Sequence, residues 1–163
     1  PKKRSDTSEA PIRLGAGEMA YLVTGESPIG MSFKENRCTG YFAQFQDFYP
    51  SLNEQCPYPK DEMEAYGNID LDNDACYDYV ETLPSCRVVT DEAEKEKISK
   101  SCRAFVVNTL TYPSCLLRHK DEPYFTSKTW RIYLSQDDEL WRSEREIIRL
   151  LDSQGRTVSV LEY

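Results

Sequence analysis

The sequence lacks a basic surplus. It has 163 residues, with 20 Lys or Arg against 28 Asp or Glu, a net charge of −8. Nucleic-acid binders usually carry the opposite imbalance, so no nucleic-acid partner is expected. There is one histidine, His119, which excludes a multi-histidine metal centre and leaves any histidine-dependent mechanism a single candidate. No apolar run approaches the roughly 20 residues of a spanning helix, so no transmembrane segment is expected. No Gly-rich phosphate loop and no Cys-x-x-Cys pair occur, and no nucleophile elbow surrounds Ser27, Ser32 or Ser114. Residue 1 is Pro and no signal-peptide core follows, so the chain reads as a mature or excised fragment.

Six cysteines are present: Cys38, Cys56, Cys76, Cys86, Cys102 and Cys115. An even set points to three disulfides and an oxidising compartment, hence an extracellular or cell-surface location. Hydrophobic residues make up 39% and charged residues 29%, which suits one globular domain of this length.

Residues 1–16 read as a linker or partial strand, with Lys2, Lys3 and Arg4 in a solvated polar terminus. Met19 to Thr24 is rich in strand formers and follows the turn signal Gly17-Glu18. From residue 31 to 128 the composition shifts: this stretch carries all six cysteines, most of the prolines and few strand signals. Tyr41, Phe42, Phe45 and Phe48 fall on one face of a short helix. With Tyr49 they offer a sugar or peptide platform, although such a stripe is more often core. Asp74 to Leu83 reads as a helix with Ala75, Cys76, Tyr79, Val80 and Leu83 as its apolar stripe, an N-cap at Asp74 and a stop at Pro84. Lys95 to Leu110 reads as a second helix, through Ile98, Cys102, Phe105, Val106 and Leu110. Pro113 to Lys120 reads as a third. At Thr129 the period changes to that of a strand, with Trp130, Ile132 and Leu134 alternating against polar neighbours. Asp137 to Trp141 is a turn. Glu146 to Leu151 and Arg156 to Tyr163 form a hairpin around Asp152-Ser-Gln-Gly155.

Charge follows the same division. Residues 47–96 hold fourteen acidic and three basic side chains, a net of −11; the remainder nets +3. Within the acidic stretch, Asp70, Asp72, Asp74, Asp78 and Glu81 occupy positions 1, 3, 5, 9 and 12 of an EF-hand-like loop, a weak calcium candidate. Position 6 is Ala75 where the loop wants Gly, and the second half suits a helix better. Carboxylate clusters such as Asp137-Asp138-Glu139 read as solvated, and no catalytic residue or other cofactor is expected.

Fifteen cysteine pairings are possible. If the helices at 74–83 and 95–110 pack antiparallel, Cys86 approaches Cys102 and Cys76 approaches Cys115, leaving Cys38 for Cys56. The competing reading is zinc held by Cys115 and His119, four residues apart on one helical face, with two more thiolates. For His119 alone, flanked by Arg118 and Lys120, the plainer reading is an exposed residue.

Two segments carry a family resemblance. Gly17-Glu-Met-Ala-Tyr-Leu-Val-Thr-Gly-Glu-Ser-Pro-Ile-Gly-Met-Ser-Phe33 resembles a strand and loop of bacterial lamin-tail-domain proteins. Trp130-Arg-Ile-Tyr-Leu134, Leu140-Trp141 and Glu146-Ile-Ile-Arg-Leu-Leu-Asp-Ser-Gln-Gly-Arg-Thr-Val-Ser-Val-Leu-Glu-Tyr163 resemble its closing hairpin. The resemblance implies an α+β chain with an immunoglobulin-like β-sandwich from residues 17–33 and 129–163. Residues 34–128 would be a cysteine-rich helical insertion. It also implies a non-enzymatic surface or secreted module. The family's opening strands are absent, so the sandwich would be incomplete at its N-terminal edge and open to strand exchange with another chain or a missing N-terminal region. The function expected is protein or envelope binding through an acidic helical lobe. The alternatives are an accessory domain of a secreted nuclease or phosphatase, and a weak calcium-binding domain.

Overall fold

The structure, a computed structural model, describes residues 11–66, 74–90, 98–138, 140 and 144–162. It is a mixed α+β fold with two small sheets and several helices. In chain order the elements are β1 (Met19–Val23), β2 (Phe33–Asn36), a 3-10 helix (Thr39–Gln44), α1 (Pro59–Tyr66), α2 (Asp74–Thr82), α3 (Lys100–Thr109), α4 (Tyr112–His119), β3 (Thr126–Tyr133), β4 (Ile147–Leu151) and β5 (Thr157–Glu162).

β3 is the centre of a three-stranded sheet, parallel to β1 and antiparallel to β2. Its Arg131 is 1% exposed. That burial is tolerable because the guanidinium is fully engaged: Nε donates to Glu35 Oε1 at 2.5 Å, Nη2 to the Ser51 carbonyl at 2.8 Å, and Nη1 to the Pro50 carbonyl. One buried cation thereby ties the loop after the 3-10 helix to the sheet.

The helices enclose two adjoining cores. Met63, Cys76, Val80, Cys102, Phe105, Val106 and Leu110 fill the first, which joins α1, α2 and α3. Cys38, Tyr41, Cys56, Cys86, Cys115 and Phe125 fill the second, which joins the 3-10 helix and α4 to the start of β3. Ser99 caps α3, its hydroxyl accepting from the Cys102 amide at 3.1 Å. Thr111 caps α4, with Pro113 in the first turn.

All six cysteines are bridged, and the pairing corrects the one expected. Cys38 joins Cys115, Cys56 joins Cys86 and Cys76 joins Cys102, instead of 38–56, 76–115 and 86–102. The reason is where the helices meet. Cys76 and Cys102 each lie in the first turn of their helix, so α2 and α3 join start to start and not end to start. Cys86 then lies beyond α2 at a φ of +59° and faces Cys56, whose amide donates to its sulfur at 3.1 Å. Cys115 on α4 is left to reach back across 77 positions to Cys38. Three such bridges place the chain in an oxidising compartment. No helix among the described residues is long and apolar enough to cross a membrane.

The aromatic stripe at 41–48 also divides differently from one helical face. A 3-10 helix ends at Gln44, Tyr41 and Phe48 are buried, and Phe45 and Tyr49 are 62% and 88% exposed. β4 and β5 form the expected hairpin. Asp152 Oδ1 accepts the amides of Gln154 and Arg156, each at 2.9 Å, and Gly155 takes a φ of +77°. The other expected boundaries hold to within a few residues for α2 and α4, while the expected start of α3 at Lys95 lies outside the described residues.

Candidate functional site

The densest group of chemically capable side chains surrounds His119, the last residue of α4. Its side chain is 12% exposed, which corrects the exposed reading. Nε2 lies 2.6 Å from Glu62 Oε1 on α1, and Nδ1 lies 2.6 Å from Glu122 Oε1 in the following turn. A neutral imidazole has one N–H and can serve only one carboxylate, so the doubly protonated ring is the form that satisfies both. Glu62 is buried, and its second oxygen lies 2.7 Å from Arg118 Nη1, while Arg118 Nη2 donates to the Glu62 carbonyl at 3.2 Å. Glu122 also receives Arg37 Nη1 at 2.9 Å. The hydrogen bond from His119, followed by the charges of His119 and Arg37, holds the Glu122 carboxyl below the ordinary glutamate range. Burial, together with the Glu62 charge, pushes the nearby Tyr41 phenol up to about 12.

The result is a five-member ionic chain, Arg37–Glu122–His119–Glu62–Arg118, that fastens α1 to α4 and to the strand end at Arg37. Both imidazole nitrogens are committed to it. The zinc reading is closed on the cysteine side, because the Cys115 sulfur is bonded to Cys38.

The outer end of this chain opens into a pocket. Arg37 forms part of its wall with Glu35, Asn53, Gln55, Tyr124 and Phe125, around a cavity of about 330 Å³. The walls are held from behind. Cys56–Cys86 anchors the segment carrying Asn53 and Gln55. Gly40 lets that segment approach closely, since a Cβ there would collide with Cys86 Sγ and stand 2.9 Å from Glu54 Cα. Phe125, 7% exposed, roots the opposite wall in the second core.

The calcium candidates scatter. Asp70 and Asp72 lie outside the described residues. Asp74 opens α2, Asp78 stands one turn along it, and Glu81 pairs with Lys60 on α1 at 3.1 Å. Ala75 to Glu81 are helical, where a calcium loop would wrap. Among the described residues no group of three or more His, Cys, Asp or Glu side chains is arranged to hold a metal ion.

Sequence reasoning missed Glu62 and Glu122 as the partners of His119, and it missed the pocket. The 119/122 spacing of three was a legible signal. Glu62, 57 positions away, carried none. Comparison with protein-family models, with curated proteins and with solved structures finds no match.

Proposed function

We propose that this chain is a non-catalytic binding module of a secreted or surface protein, and that the acid-rich face of its helical lobe engages a protein or cell-envelope component. One observation carries the reading: Asp61, Glu64, Asp74 and Asp78 stand exposed on α1 and α2, two helices packed over a core that Cys76–Cys102 cross-links. A fixed carboxylate array attracts a basic partner and orients it, at little cost in side-chain ordering. The engagement of His119 by two carboxylates and the bridging of every cysteine support a structural duty for the two side-chain types most suited to nucleophilic chemistry.

The lamin-tail resemblance belongs to this reading as its fold component. β1, β3 and the β4–β5 hairpin are the strands it concerns. The completion proposed for an immunoglobulin-like sandwich is strand addition by another chain along the β1 or hairpin edge.

The test is binding to purified bacterial cell envelopes. Retention should fall between about 0.1 M and about 1 M salt, as the Debye length shrinks from about 10 to about 3 Å. It should be lost in the triple variant Asp61→Asn/Glu64→Gln/Asp78→Asn. Retention indifferent to both salt and the variant, or no retention at low salt, contradicts the proposal.

A further inference from the structure

We infer that the pocket between the 53–55 segment and the 123–127 segment is a binding site for a neutral saccharide. The inference extends the binding-module reading to a second set of residues, none of them in the acidic face.

Four observations converge there. First, the charges at the pocket are already answered from within the protein. Glu35 is paired with Arg131 and Arg37 with Glu122. Each charge is already balanced by its partner, which leaves the pocket no net charge to favour an ion, so the complementary ligand is neutral.

Second, the side-chain amides of Asn53 and Gln55 make no hydrogen bond among the described residues, and both are exposed. Each offers two donors and a two-lone-pair acceptor. Vicinal hydroxyls of a sugar, which both donate and accept, match that set.

Third, Tyr124 is 98% exposed and sits at a φ of +64°. A bulky residue in the left-handed region costs on the order of 1–3 kcal/mol. Its ring gains no packing in return. What the conformation does provide is a flat aromatic face at the rim, on which the C–H face of a pyranose ring can stack.

Fourth, the walls are rigid. The bridge at Cys56, the close approach at Gly40 and the burial of Phe125 hold the backbone that carries the amides and the ring in place before any ligand arrives. Pre-organisation lowers the ordering cost of binding. The cavity, about 330 Å³, is at the small end of ligand sites of roughly 300–1,000 Å³ and suits a mono- or disaccharide unit.

A polar peptide would also find amides here. However, it would bring a backbone needing an extended run of partners, and the pocket offers a ring and two isolated amides instead.

The experiment is saturation-transfer NMR and titration of the disulfide-intact chain with cellobiose, maltose and N,N′-diacetylchitobiose, and with a neutral hexapeptide. At least one disaccharide should bind, with transfer strongest on one ring face. Tyr124→Ala should weaken it roughly tenfold, the equivalent of about 1.4 kcal/mol, and Asn53→Ala/Gln55→Ala should weaken it similarly. The melting temperature should stay at the native value in both. The acidic-face triple variant should bind the sugar as the native chain does, so loss of envelope retention and loss of sugar binding are read separately. The inference is overturned if no disaccharide binds, if binding survives both pocket variants, or if the peptide alone binds at Tyr124.

Discussion

The helical lobe and the C-terminal hairpin solve the same problem in opposite ways. The lobe fills two cores, bridges all six cysteines and buries Glu62 with its partners. The hairpin has one good turn and, among the described residues, almost nothing beneath it. Ile147, Leu150, Leu151, Val158, Val160 and Leu161 are each about half exposed or more. A lone two-stranded hairpin is marginal in water. The lobe therefore owes its order to cross-links and burial, and the hairpin to local turn chemistry. The contrast teaches that stability in this chain is concentrated in the segment with the fewest strand signals.

The largest way to break the contrast is to open the longest cross-link. Cys38→Ala/Cys115→Ala releases a closure of 77 positions, and a chain-entropy estimate gives a loss of about 4.5 kcal/mol, against about 3.5 for either shorter bridge. Guanidinium unfolding followed by circular dichroism should show this loss, whereas removing residues 146–162 should leave the lobe's midpoint nearly unchanged. An equal loss from both changes would erase the distinction.

A smaller effect sharpens it. The amide and side chain of Arg156 hold the Asp152 carboxyl below the ordinary aspartate range. A depressed folded value means the contribution is present above that range and is lost as pH falls through the folded value. Amide shifts of Gln154 and Arg156 should therefore move and broaden on acidification, while Cys76 and Cys102 hold their dispersion. Asp152→Asn should flatten the hairpin's response. Persistence of the response in that variant contradicts the assignment to Asp152.

Legibility in the sequence tracks the same contrast. The hairpin could be read because alternation and the Asp-x-x-Gly turn are local. α2, α3 and α4 could be read because Cys76, Val80, Cys102, Phe105 and Val106 recur at helical spacing. β2 was hidden: Phe33-Lys-Glu-Asn36 is polar, and it becomes a strand because Glu35 must meet Arg131, 96 positions away. α1 carries local start signals, with Pro59 opening it and Asp61 and Glu62 in its first turn. The cysteine pairing was beyond local reasoning, because it depends on which ends of α2 and α3 meet. For the same reason only the near half of the His119 cluster was readable. The pocket was not readable at all, since it joins Asn53 and Gln55 to Tyr124 across the fold.

The central claim, that three covalent bridges staple the helical lobe together, is tested most directly by mass-spectrometric mapping of a non-reduced digest. The account predicts peptides linked through Cys38–Cys115, Cys56–Cys86 and Cys76–Cys102. Peptides linked 38–56, 76–115 or 86–102, or free thiols at these positions in the native protein, would contradict it.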